Sequence, residues 1–200
     1  MTQKIIAQGA EAKIILSKGI ITKDRITKSY RIPKLDKTIR KRRTRSEAKL
    51  LTKASQNINC PFPIEIQEHK LILPYIKGKK LSEHLDELPI KKQKQILKQI
   101  GTDIAKLHDQ DIIHGDLTTS NIILFENKIY LIDFGLGYFN GKHEDKAVDI
   151  HLLKQALVAK HFRHAEELFK EVLKGYKKSK NSKIVLERLK AVEKRGRYKG

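Results

Sequence analysis

His114-Gly115-Asp116-Leu117-Thr118-Thr119-Ser120-Asn121, followed a few residues later by Asp133-Phe134-Gly135, is the stretch whose reading decides the fold. Between the two lie Ile122–Phe125 and Ile129–Ile132, apolar runs on either side of the turn Glu126-Asn127-Lys128, the pattern of a β-hairpin. The hairpin returns Asp133 to the side of Asn121. Three oxygen-bearing side chains then converge: Asp116, five residues before Asn121, to accept a proton, and Asn121 with Asp133 to hold a divalent cation. Asp, Asn and Gly are common turn formers, and each taken singly reads as an ordinary loop residue. Their order, their spacing and the intervening hairpin carry the argument.

This is the catalytic-loop arrangement of a kinase. Phosphoryl transfer gains little from covalent chemistry, so the site has to position groups and neutralise charge. ATP and Mg²⁺ are therefore the expected cofactors. Upstream, Lys4–Ala7, Lys13–Leu16 and Gly19–Thr22 predict a meander of three strands. Lys23, at the end of the third, stands where a kinase grips the α- and β-phosphates. Asp36 is expected to cap a helix running to about Ala54, with Ile39, Leu50, Leu51 and Ala54 on its apolar side. Glu47, midway along it, is the expected ion-pair partner of Lys23. The phosphate-covering loop matches least well: Gly9, Ala10, Glu11 and Ala12 hold one glycine where G-x-G-x-x-G is usual, and a lone glycine between two strands is more often a plain turn. Adenine is expected near Leu73–Ile76, against Pro74 and Ile76.

Ile64–Gln67 and Leu71–Leu73 predict two further strands. Ile96, Ile100, Ile104 and Leu107 line one face of a helix ending near His108, Asp111–Asn121 reads as a polar loop, and helical spacing returns from Asp145 to about Val192. The fold class is α+β: a bilobal kinase-like fold with a strand-rich N lobe (1–74), a hinge (74–78, containing Gly78) and a reduced helical C lobe (79–200).

With 39% hydrophobic and 33% charged residues, the 200-residue chain suits a soluble globular domain rather than a disordered one. A single cysteine, Cys60, excludes an internal disulfide framework, and charges interrupt every apolar run before membrane-spanning length. The opening residues lack the apolar region of a signal peptide, so a cytoplasmic protein without a membrane partner is expected. The net charge of +20 points to a polyanionic partner, nucleic acid foremost, although lysine-rich surfaces also serve solubility or heat tolerance. Arg40, Lys41, Arg42, Arg43 and Arg45 crowd one helix start, against the helix dipole, and Lys190, Lys194, Arg195, Arg197 and Lys199 mark the C-terminus.

The sequence resembles the small atypical kinase/ATPase subunit of the KEOPS complex. The matching segments are Gly9-Ala10-Glu11-Ala12, Lys23-Asp24-Arg25, Lys28 to Pro33, Arg43 to Ala48, His114 to Asn121, Asp133-Phe134-Gly135, Glu144 to Asp149 and Arg195-Gly196-Arg197. The resemblance implies ATP hydrolysis in the service of threonylcarbamoyladenosine formation in tRNA, with serine/threonine phosphorylation or autophosphorylation in isolation. It implies as partners the tRNA-threonylcarbamoyl-transferring subunit, the other KEOPS subunits and tRNA. Asp149 is expected either to brace the catalytic loop through its backbone or to cap a helix. No Ala-Pro-Glu motif follows Asp133-Phe134-Gly135, and Gly115 replaces the arginine that pairs with a phosphorylated activation loop. Both departures argue against control by activation-loop phosphorylation.

Two other readings remain at this point: a small-molecule kinase of the aminoglycoside or choline type, and an idle pseudokinase scaffold that binds tRNA. Intact Lys23, Asp116, Asn121 and Asp133 weigh against the second. If charge drives tRNA binding, affinity should fall steeply with salt, with a log–log slope of about −0.9 per neutralised phosphate on duplex. Alanine at Arg195, Arg197 and Lys199 should flatten that slope. Titration of labelled tRNA at several salt concentrations measures it, and a salt-insensitive affinity would refute the expectation.

Overall fold

The structure, a computed structural model, describes residues 4–197. It opens with β1 (Lys4–Gln8), β2 (Ala12–Ser17) and β3 (Ile20–Arg25), then α1 (Pro33–Ala54), β4 (Glu65–Gln67) and β5 (Lys70–Pro74). The strands form one antiparallel sheet in the order β1-β2-β3-β5-β4, with Lys23 opposite Ile14 on β2 and Leu71 on β5. The third strand runs past Thr22 to Arg25, so Lys23 lies inside it rather than at its end. Alternation along β3 then puts Lys23 and Arg25 on one face, both buried.

Asp36 does not cap α1. The helix begins at Pro33, whose fixed φ and missing N–H suit a first helical position. Asp36 falls in the first turn, buried, where it accepts hydrogen bonds from Lys28 N (3.3 Å) and Arg40 Nε (2.6 Å). Leu50, Leu51 and Ala54 are buried on the inner side of α1, while Ile39 is only half-buried.

After Tyr75–Gly78 come β6 (Lys79–Lys80), the short α2 (Leu81–His84) and α3 (Ile90–His108), whose Ile96, Ile100, Ile104 and Leu107 are all buried. Asp111–Asn121 is not simply a polar loop. Its Ile112–Ile113 form β7, pairing antiparallel with β10 (Tyr138–Phe139), and Leu117 is fully buried. Two consecutive isoleucines are too short a run to show periodicity, which is why sequence pattern misses the strand. The expected hairpin is present as β8 (Ile122–Phe125) and β9 (Lys128–Leu131), with β6 on its outer side. The last third is three helices, α4 (His143–Lys160), α5 (Ala165–Tyr176) and α6 (Ser182–Arg197), with α4 beginning ahead of Asp145. Arg195 ties α6 to α4 through the Glu144 carboxylate. Of the remaining tail residues, Lys199 and the side chain of Arg197 lie outside the described residues.

Helices α3 and α5 cross backbone to backbone at a pair of glycines. A Cβ on Gly101 would lie 2.0 Å from the Val172 carbonyl oxygen, and one on Gly175 would lie 2.0 Å from that of Lys98. Neither oxygen can rotate away, so the helices themselves must separate. Gly101→Ala should therefore lower unfolding free energy by about 1–3 kcal/mol, the usual range for overpacking, despite the better helix propensity of alanine. Urea unfolding measures it. An unchanged midpoint would show that the helices do not meet this closely.

Candidate active site

Glu47 is a carboxylate at 1% exposure, and α1 holds it between two cations of β3. Lys23 Nζ donates to its Oε1 (2.7 Å) and Arg25 Nη2 to its Oε2 (2.6 Å). The same Lys23 Nζ donates to Asp133 Oδ1 (2.6 Å), which also accepts from Gly135 N (3.1 Å). Burial by itself would lower the Lys23 pKa, but the Glu47 and Asp133 carboxylates raise it above the ordinary lysine value. Asp133 shows the converse: burial pushes its pKa up, and Lys23 holds it below the usual carboxylate range. The Lys23 ammonium and the Asp133 carboxylate are thus ionised at neutral pH. Asp133 sits at φ +62°, a left-handed conformation unusual outside glycine.

The catalytic loop is held from behind. Asp149, on α4, accepts from His114 N (2.7 Å) and Gly115 N (2.9 Å), and behind it His108 Nε2 lies 3.4 Å from Oδ2. Of the two roles expected for Asp149, the brace is the one observed; it lies inside α4, not at its start. The His114 ring is buried, which pushes its pKa down and keeps it neutral. Its Nε2 lies 3.0 Å from the Ile132 carbonyl and so carries the proton, leaving Nδ1 to accept from Asp116 N (3.3 Å). Phe134, fully buried, packs on this ring at 4.6 Å between centroids. Gly115 is at φ +78°, and a Cβ there would lie 2.4 Å from the Leu136 carbonyl oxygen. That geometry leaves no place for an arginine at this position. Asn121 Nδ2 donates to Asp116 O (2.9 Å) and Oδ2 (2.8 Å).

These residues open onto one cleft of about 560 Å³. The residues expected to catalyse, to bind nucleotide or to hold metal all border it: Gly9, Ala10, Glu11, Ala12, Lys23, Glu47, Pro74, Ile76, Asp116, Asn121 and Asp133. Its lining joins apolar side chains, among them Ile14, Ile21, Ile123, Ile132, Pro74 and Ile76, to the charged groups. The glycine-poor loop is pinned by two cations: Arg43 pairs with Glu11 (2.5 Å) and Lys28 Nζ donates to the Ala10 carbonyl. Sequence reading missed the roles of Arg25 and Arg43. Arg25 was legible in principle, because i and i+2 share a strand face. Nothing in the sequence joins Arg43 to Glu11.

The sequence model of the RIO domain matches residues 17–147. Across 98% of its length the chain is 42% identical to the KEOPS complex subunit Bud32 of Pyrococcus abyssi, covering 96% of that protein. The chain belongs to the RIO-domain family, in its Bud32 branch. A second Bud32-type relative, the probable serine/threonine-protein kinase BUD32 homolog of Archaeoglobus fulgidus, is 36% identical over 95% of the chain and 94% of its own length. The probable bifunctional tRNA threonylcarbamoyladenosine biosynthesis protein of Methanobrevibacter smithii is 40% identical over 99% of the chain, which spans 37% of that longer protein. Among solved structures, the gentamicin-APH(2")-IIa complex matches with a TM-score of 0.67 at 14% identity, over 96% of this chain and 81% of that one. At that identity the likeness speaks to the kinase-like bilobal fold alone. As a Bud32-type chain, the protein is an atypical kinase/ATPase, and the small-molecule kinase and pseudokinase readings are not favoured.

The doubly held Glu47 makes a measurable claim. Arg25→Ala and Glu47→Ala should each destabilise the protein, because each leaves buried charge without its partner. The double variant should lose less than the sum of the singles by about 0.5–3 kcal/mol, the coupling range of residues in contact. Arg25→Lys should recover part of the loss. A urea-unfolding cycle tests this; additive losses would mean that the Arg25–Glu47 contact carries no energy.

Proposed function

We propose that the cleft binds ATP with Mg²⁺ and transfers its terminal phosphoryl group to a hydroxyl or to water, in support of threonylcarbamoyladenosine formation in tRNA within a KEOPS assembly. The observation that carries the reading is the convergence of Lys23, Glu47, Asp116, Asn121 and Asp133 on one cleft that apolar side chains also line. In this reading the lobes part at residues 74–78, with adenine against Pro74 and Ile76. Lys23 takes the α- and β-phosphates, positioned by Glu47, and the backbone of Gly9–Ala12 covers them.

The polar groups fit a hard cation. Asn121 commits its amide nitrogen to Asp116, which leaves its Oδ1 as a ligand; Asp133 commits Oδ1 to Lys23 and Gly135, which leaves Oδ2. When bound, the ion would neutralise phosphate charge. Asp116, with Oδ2 fixed by Asn121, would accept at Oδ1 the proton of the attacking hydroxyl or water. Gly115 in place of arginine suits an enzyme whose α1 is seated without a phosphorylated loop.

The partners follow from the relatives. Proteins of this type are named as KEOPS subunits in Pyrococcus abyssi and Dictyostelium discoideum, and the Methanobrevibacter smithii relative is named for tRNA threonylcarbamoyladenosine biosynthesis. We take the companion threonylcarbamoyl-transferring subunit and tRNA as partners here. Among the described residues no helix is long and apolar enough to cross a membrane, and a cytoplasmic location accords with the tRNA reading.

ATP turnover measured with and without tRNA and the companion subunit tests the proposal. Asp133→Ala should abolish Mg²⁺-dependent turnover, since a metal carboxylate is lost. Asp116→Ala should slow it by roughly 10²-fold or more through loss of proton transfer. Near-normal turnover in a folded Asp116→Ala protein would sink the catalytic assignment.

A further inference from the structure

The basic run of α1 divides between two faces of the helix. Arg40 and Arg43 turn inward, to Asp36 and Glu11 respectively. Lys37, Lys41, Arg45 and Lys49 recur every fourth residue along another face, with Arg42 beside them. That periodicity sets them away from Arg43 and Glu47, which border the cleft. Together with Thr38, Ser46 and Phe139 of β10, they line a groove of about 550 Å³. Five cations border it and no carboxylate does. Among the described residues only Lys37 of the five has an ion-pair partner, Glu68 at 3.4 Å, with both side chains well exposed.

Like charges one helical turn apart repel one another and weaken the helix. Surface lysines kept for solubility are normally interspersed with acids, and here the acids are missing from a concave surface. Phe139, 39% exposed, is the groove's aromatic surface. Cations along a groove with an exposed ring beside them form the usual combination for a nucleic-acid strand: the charges meet phosphates and the ring stacks on an unpaired base.

We propose that this groove is an RNA-docking surface, which seats a phosphate backbone on Lys41, Arg42, Arg45 and Lys49 and an unpaired base on Phe139. The proposal rests on the tRNA reading given above and locates it on the outer side of the helix that carries Glu47. It differs from the placement expected at the C-terminal tail, where Arg195 is already paired with Glu144.

The test uses the full chain and a labelled tRNA transcript, titrated at several salt concentrations, with ATP turnover as the control for folding. Arg42→Glu/Arg45→Glu/Lys49→Glu should weaken binding at least tenfold. It should also flatten the log–log salt slope by about two to three units, at roughly 0.7–0.9 per lost phosphate contact, and leave basal turnover unchanged. Phe139→Ala should weaken binding roughly fivefold or more without changing the slope. If the parent binds tRNA and the triple variant binds with the same affinity and slope, the groove is not the docking surface, although the tRNA reading stands. If the parent binds no tRNA even at low salt, the tRNA reading itself fails, and the groove proposal with it. Polyglutamate binding as tightly as tRNA, through the same residues, would assign the groove to an acidic protein and overturn the proposal.

Discussion

A carboxylate taken out of water has to be matched by charge, and Glu47 is matched twice. Lys23 occupies one oxygen and Arg25 the other, both from the same face of β3, so the carboxylate cannot rotate without abandoning a buried cation. The contact fixes α1 against the sheet and brings Lys23 to Asp133 across the cleft. In many kinases the seating of this helix is left to a phosphorylated loop. Here a residue of the sheet supplies the constraint, which agrees with the absence of an arginine at position 115.

The second half of the site depends on backbone rather than side chains. Asp149 collects two consecutive N–H groups of the catalytic loop, and the neutral His114 ring joins the Asp116 amide to the Ile132 carbonyl at the end of the hairpin. Asp116 and Asp133 are therefore positioned by one connected set of hydrogen bonds. Phe134 closes that set against water by packing on the same ring.

Much of this was legible because the chemistry is local in sequence. Asp116 and Asn121 share a loop, and one hairpin with a clear turn returns Asp133. The regular α3 stripe and the sheet strands follow from periodicity. What was not legible depends on tertiary contact. Asp36 has the composition of a cap but is claimed by Arg40, because Pro33 starts the helix earlier. Ile112 and Ile113 look like part of a polar loop until Tyr138 and Phe139 come back to pair with them. The run Arg40 to Arg45 looks uniform as sequence, yet helical geometry turns two of its members inward and the others outward.

The contact of Lys23 with Asp133 also bears on how a nucleotide would be received under the proposed function. The buried ammonium has two counter-charges in this structure, Glu47 at 2.7 Å and Asp133 at 2.6 Å. Phosphate oxygens reaching Lys23 would have to share it with both carboxylates. A cation drawing Asp133 toward itself would loosen one of those contacts, so metal and nucleotide would each ease the entry of the other.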